Sequence, residues 1–160
     1  MARKQPHIVS GDAAKLGEFL CFAIYSANLA INRAYKPLLD ELGLTYPQFL
    51  VLAALYDEGD QTVGSLGEKL FLDSSTLTPV LKRMERAGLL TRQRDAKDER
   101  QVRLRLTQRG RSAREKSFGF LDGLVKDTGV APARYQQFLG ALVKLRENLT
   151  NQHPKPSASG

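Results

Sequence analysis

The amino-acid sequence predicts a mainly α fold with one small β-hairpin set into it. Apolar residues recur at spacings of three and four over most of the 160 residues. Between Gly88 and Thr107 that period gives way to a period of two, and capping residues or glycines stand where each run breaks.

The first helix is expected from Asp12 to Leu42, where Leu16, Leu20, Ile24, Ala27, Ile31, Ala34 and Leu38 form one apolar stripe. Pro37 should kink or divide it, because proline removes a donor and clashes with the preceding turn. Thr45 to Gln48 reads as a capping box with Pro47 in the first turn, opening an apolar helix through Phe49, Leu50, Leu52, Ala53 and Tyr56 that ends at Gly59. Thr62 is placed to cap a short helix from Val63 to Leu70, and Asp73 or Ser74 to cap the next, which runs to Gly88. Pro79 in that helix predicts an irregular turn.

Leu89 to Arg94 and Gln101 to Thr107 then read as two strands. In the second, Val102, Leu104 and Leu106 face one way and Arg103 and Arg105 the other, and the polar link Asp95 to Arg100 makes a hairpin with a charged tip. Thr107 should cap a helical stretch to about Lys126, interrupted at Gly119 and Gly123. Pro132 starts a last helix with Phe138, Leu142, Leu145 and Leu149 in line, and Pro154 to Gly160 reads as a disordered tail.

This order is that of a winged helix-turn-helix domain, expected at 47–110 within a single domain spanning 1–160. It is flanked by helices at 11–45 and 117–150 and followed by a tail at 153–160. On the helix from Ser74 to Ala87, Leu77, Val80, Leu81 and Met84 form the inward stripe. Ser75, Thr76, Thr78, Lys82, Arg83 and Arg86 are left to face outward, and Ser74 opens the helix. A recognition helix brings its first residues to base edges, where small hydroxyls can approach, while later cations reach phosphates.

Charge narrows the function class. Lys82 to Lys116 holds thirteen Lys and Arg against five Asp and Glu, while the rest of the chain holds eleven against twelve. A basic block in an otherwise balanced protein is the footprint of a polyanion-binding surface, DNA being the commonest partner. RNA, an anionic membrane surface or a solvated face without a partner would leave a similar mark. One cysteine, Cys21, excludes internal disulfides, and one Cys with two terminal His excludes a zinc finger. Neither a metal nor another cofactor is expected. No run approaches the length of a membrane span and Met1 to Ser10 lacks an apolar segment, so the expected location is cytoplasmic.

Several motifs resemble the MarR (multiple antibiotic resistance regulator) transcription factors over Gly11 to Thr150. Leu44-Thr45-Tyr46-Pro47-Gln48-Phe49 resembles that family's entry into its second helix. Leu72-Asp73-Ser74-Ser75-Thr76-Leu77-Thr78-Pro79 resembles its recognition-helix start, and Asp98-Glu99-Arg100 its wing signature. The resemblance implies a homodimer built from the terminal helices, binding a palindromic double-stranded DNA operator. It also implies a wing Arg100 that enters the minor groove, its guanidinium held by Asp98.

Phe19-Leu20-Cys21-Phe22-Ala23 and Tyr35-Lys36-Pro37-Leu38-Leu39-Asp40 resemble the organic hydroperoxide resistance regulators within that family. This likeness implies that Cys21 is the redox sensor, its thiolate accepting hydrogen bonds from Tyr35 and Tyr46 of the partner subunit. Tyr25 lies one helical turn past Cys21. Many relatives carry a second cysteine in the C-terminal helices and this chain has none, which implies the one-cysteine branch, with a small external thiol meeting the oxidised sulfur. Chemically, such a sensor needs donors or positive charge near the thiol and access for the oxidant. Phe19, Phe22 and Phe49 would favour an organic oxidant if they line the approach. A lone cysteine on an apolar helix is otherwise an inert core residue.

Competing readings are a thiol peroxidase using Cys21, a nonspecific nucleic-acid binder, and a repressor relieved by a reversible small phenolic or lipophilic ligand. The first lacks a resolving thiol and a nearby histidine, so no catalytic residue is assigned. The second would ignore oxidant, and the third leaves Cys21 without a purpose.

Overall fold

Helix caps set most boundaries in the computed structural model, which describes residues 15–96 and 98–153. The first described element is a short 3-10 turn, Leu16–Glu18, followed by Phe19 in extended conformation (φ −78°, ψ 121°). Helix α1 (Leu20–Leu42) therefore starts later than its apolar stripe suggested. Residues 12–14 lie outside the described residues. Pro37 does not divide α1, which ends at Gly43 in the left-handed region (φ 64°), a conformation that suits glycine.

Helix α2 (Tyr46–Glu58) opens as its capping box requires, with the Thr45 N–H donating to Gln48 Oε1 at 2.8 Å. A two-residue strand β1 (Gln61–Thr62) follows, then α3 (Val63–Leu70), capped by the Ser65 N–H donating to Thr62 Oγ1 at 3.1 Å. Helix α4 (Ser74–Arg86) is capped at Asp73 and buries Leu77, Val80, Leu81 and Met84, the stripe expected of it. It continues through Pro79 without the expected irregular turn. The carbonyl that loses its usual donor is that of exposed Ser75, where water can serve.

At the end of α4 the Gly88 N–H donates to the Glu85 carbonyl and the Leu89 N–H to the Met84 carbonyl, with Gly88 at φ 69°. The chain turns into β2 (Leu90–Arg94) and β3 (Val102–Leu106), an antiparallel pair that β1 joins on the other side of β3. Lys97 lies outside the described residues. Cross-strand pairing of Leu90 with Leu106 and Arg92 with Leu104 turns one face inward. Thr91 with Arg105 and Gln93 with Arg103 form the outer face.

Helix α5 (Gln108–Glu115) is capped by Thr107 and sits hard on the start of the hairpin. The Thr107 N–H donates to the Leu89 carbonyl, and a Cβ on Gly110 would stand 2.1 Å from that same oxygen, so only glycine fits. The helical stretch after Thr107 breaks at Lys116 and Ser117 rather than at the glycines. Buried Ser117 donates from Oγ to the Arg114 carbonyl at 2.6 Å, and Gly119 and Gly123 lie within α6 (Phe118–Asp127). Helix α7 (Pro132–Gln152) starts at proline, as expected.

The chain divides into two compact units, one running to Phe120 and one from Leu121. In the first, the core is Leu38, Leu39, Phe49, Val51, Leu52, Leu55, Leu66 and the α4 stripe, closed by Leu90, Leu104 and Leu106. In the second, α7 buries no residue. Among the described residues no single helix is long and apolar enough to cross a membrane.

Candidate functional site

Because α4 buries one stripe, its other side is committed to solvent. Ser74, Ser75, Thr76, Lys82, Arg83 and Arg86 are exposed and Thr78 is half-buried, so the hydroxyls stand at the start of the helix and the cations along its later turns. Arg100 is exposed in the wing turn. Asp98 Oδ1 accepts from the Arg100 backbone N–H at 3.1 Å and Asp98 Oδ2 from Gln101 Nε2 at 3.1 Å. The link drawn here from Asp98 to Arg100 thus orders the turn backbone, whereas the resemblance implied a hold on the guanidinium.

Other cations of the basic segment are engaged inside the protein, which charge counting could not reveal. Arg103 is bound to the buried carboxylate of Asp95, and Arg105 grips Asp60 with Nε at 3.0 and 2.8 Å from its two oxygens. Arg92 approaches Glu85 at 3.6 Å. Arg114 is buried, its guanidinium carbon 4.6 Å from the centroid of Phe118, 5.7 Å from Phe49 and 6.0 Å from Tyr56. Its Nη1 donates to Ser117 Oγ at 2.9 Å, and its Nε has no hydrogen-bond partner among the described residues. The signal for this burial was present in the spacing, since Gly110, Arg114 and Ser117 recur at four and three, the stripe of a core-facing helix.

Two parts of the candidate redox site are well separated. Cys21 is exposed and is the second residue of α1, in the turn whose backbone N–H groups have no intrahelical acceptor and where the helix dipole is positive. Phe22 is half-buried beside it, and Tyr25 is 58 % exposed with its ring 6.5 Å from that of Phe22. Tyr35 and Tyr46 form an edge-to-face pair with centroids 5.1 Å apart. Phe49 and Phe120 pack on Tyr35 at 5.4 and 6.0 Å, which puts Phe49 with the tyrosines. Burial pushes the Tyr46 hydroxyl above the usual range for a phenol, so it remains a donor at neutral pH. Tyr35 lies fourteen positions after Cys21 on the same helix, about 21 Å along its axis at 1.5 Å per residue. The tyrosines are therefore brought to one another and not to their own chain's cysteine.

Residues 33–116 match the family model described as transcriptional regulator SarA/Rot. The organic hydroperoxide resistance transcriptional regulator of Bacillus subtilis is 45 % identical over 141 residues, covering 86 % of this chain and 94 % of the relative. The chain belongs to the MarR-type family of transcriptional regulators. Among solved structures, reduced AbfR bound to DNA aligns with a TM-score of 0.73 at 33 % identity, covering 86 % of this chain and 95 % of that one. Overoxidized AbfR bound to DNA aligns at 0.70 and 34 %, covering 84 % and 94 %; AbfR comes from Staphylococcus epidermidis. As a MarR-type regulator the chain is a DNA-binding protein with a winged helix-turn-helix, and α3 and α4 are its helix-turn-helix pair.

Proposed function

We propose that this regulator is a homodimeric repressor whose Cys21 is oxidised by an organic hydroperoxide, after which the dimer leaves its palindromic operator. The observation that carries this reading is the separation of Cys21 from the tyrosine pair within one chain. Cys21 sits in an exposed first turn of α1, while Tyr35 lies about 21 Å further along that helix, paired there with Tyr46 at the start of α2, too far for the same chain to close the site. A second copy supplies the missing half.

Exposed apolar residues on the terminal helices support the dimer. Leu16, Leu20, Ile24 and Ile31 near one end of the chain, and Phe138, Leu142 and Leu149 near the other, are exposed in the single chain. DNA is met by Ser74, Ser75, Thr76 and Thr78 at base edges, by Lys82, Arg83 and Arg86 along the helix, and by Arg100 in the wing.

Oxidation transfers one oxygen. The Cys21 thiolate attacks the outer peroxide oxygen, the O–O bond breaks, and an alcohol leaves as the sulfur becomes a sulfenic acid. A small thiol then displaces the hydroxyl as water and leaves a mixed disulfide, because the chain holds no resolving cysteine. The added bulk does not fit where a thiolate sat between tyrosines. The helices repack and the two recognition helices leave their half-site spacing of about 34–36 Å.

Mixed dimers test the composite site. Pairing Cys21→Ser with a Tyr35→Phe/Tyr46→Phe chain leaves one intact site per dimer, which should oxidise at the wild-type rate. Dimers of the tyrosine double variant alone should oxidise slowly. Equal rates in wild type and double variant would assign the tyrosines to the core and overturn the proposal.

A further inference from the structure

Two carboxylates, Asp60 just before β1 and buried Asp95 just after β2, hold outer-face arginines that the basic segment would otherwise offer to DNA. Strand register explains the first. Gln61 pairs with Leu104 and Thr62 with Arg103, which puts Asp60, just before β1, across from Arg105. The carboxylate takes the guanidinium edge-on, with Arg105 Nε donating at 3.0 and 2.8 Å and Nη2 closing the fork. Asp95, just after β2, lies diagonally across from Arg103 and binds it, while its Oδ1 accepts from the Asp98 N–H at 3.2 Å. Both pairs line one shallow cleft of about 320 Å³ on the outer face of the sheet.

Stability alone gives a poor reason for the first pair. Arg105 is 66 % exposed and Asp60 32 %, and an ion pair so open to water contributes little to folding. Its large consequence is electrostatic, because a guanidinium forked onto a carboxylate carries no net charge to a phosphate. The hydrogen bonds from Arg105 hold the Asp60 carboxyl below the usual carboxylate range, so the pair stays ionised wherever the protein binds DNA.

We propose that Asp60 and Asp95 are specificity-determining residues, which withhold Arg105 and Arg103 from the phosphate backbone and so limit binding to DNA that lacks the operator sequence. Every phosphate contact adds affinity for all sequences alike, whereas base contacts distinguish them. Keeping two outward arginines neutral preserves the ratio between operator and random DNA. It leaves the wing to act through Arg100 near the tip.

The test is the affinity of the reduced dimer for a duplex of unrelated sequence, measured across a salt series for wild type, Asp60→Asn, Arg105→Gln and the double variant. Asp60→Asn should bind the unrelated duplex more tightly, with log K against log salt steeper by about 0.9, the share of one released phosphate contact. Arg105→Gln should keep the wild-type slope, and the double variant should return to it. A purely structural pair would alter melting alike in both single variants and leave the slopes unchanged. An Asp60→Asn slope equal to wild type overturns the proposal, and so does a flattened slope in Arg105→Gln, which would mean that Arg105 already meets phosphate. None of these readouts involves Cys21, so failure here is distinct from failure of the redox reading.

Discussion

Helix α4 and the first half of α1 are both amphipathic, yet they end in opposite conditions. In α4 the stripe Leu77, Val80, Leu81 and Met84 is buried by its own chain, and its polar side is left to water. In α1 the same spacing leaves Leu20, Ile24 and Ile31 exposed, and burial is reached only at Leu38 and Leu39. Periodicity tells which side of a helix is apolar; it does not tell whose surface covers it. The winged core is completed within one chain, whereas in the proposed homodimer a second chain covers the α1 stripe.

The largest expected effect comes from breaking that second surface. Ile24→Glu, at a residue 40 % exposed in the single chain, should yield monomers in sedimentation and weaken operator binding by roughly 10²-fold or more, the advantage of two linked half-sites. A dimer that survives Ile24→Glu would return α1 to the status of an ordinary surface helix.

Breaking the completed region should instead cost folding. Leu81, fully buried, should lose about 2–5 kcal/mol on change to alanine, read as a shifted denaturant midpoint that does not depend on protein concentration. Gly110→Ala forces a carbon against the Leu89 carbonyl and should cost about 1–3 kcal/mol. Cys21→Ser, at an exposed position, should stay within about 0.5 kcal/mol of wild type.

The polar side of the core can be probed without unfolding it. Arg100→Ala should weaken operator binding and flatten log K against log salt by about 0.9. Equal slopes would remove Arg100 from the interface.

The smallest effect concerns pH. Burial raises the folded value for Tyr46 above 10.0, the value it regains on unfolding. Its contribution to stability is therefore complete below pH 10 and is lost as pH rises through the raised value. Wild type should lose more stability than Tyr46→Phe between pH 9 and 11 in urea melts, with the two parallel below pH 9. Parallel curves throughout would mean that the phenol is as well solvated in the folded state as in the unfolded one.

Much of this was legible in the residues. The α4 stripe, the Thr62 and Thr107 caps and the Gly88 turn rest on local signals, and each stands where its neighbours put it. What escaped the sequence depends on distant partners. Strand β1 has two residues and exists only because β3 pairs with it. Asp60 and Arg105 are 45 positions apart, so nothing in the local sequence of Arg105 marks it as neutralised. Arg114 was counted as a surface cation although its stripe partners, Gly110 and Ser117, face the core. Phe19 is extended and delays the start of α1, and the break falls two residues after Gly17. For the candidate site, the tyrosine pairing was implied by resemblance alone, since two residues eleven positions apart across a helix break carry no periodic signal.

The most direct test of the central claim is a titration of operator duplex by the reduced dimer, the same dimer after organic hydroperoxide, and the oxidised dimer after a small thiol, with intact mass taken on each sample. Expected are tight binding when reduced, modest weakening as the sulfenic acid, and release when the mass shows one thiol adduct on Cys21. Reductant should restore binding, and Cys21→Ser should bind throughout and gain no mass. Release of Cys21→Ser by hydroperoxide, or full operator affinity in wild type bearing the adduct, would contradict a repressor switched at this cysteine.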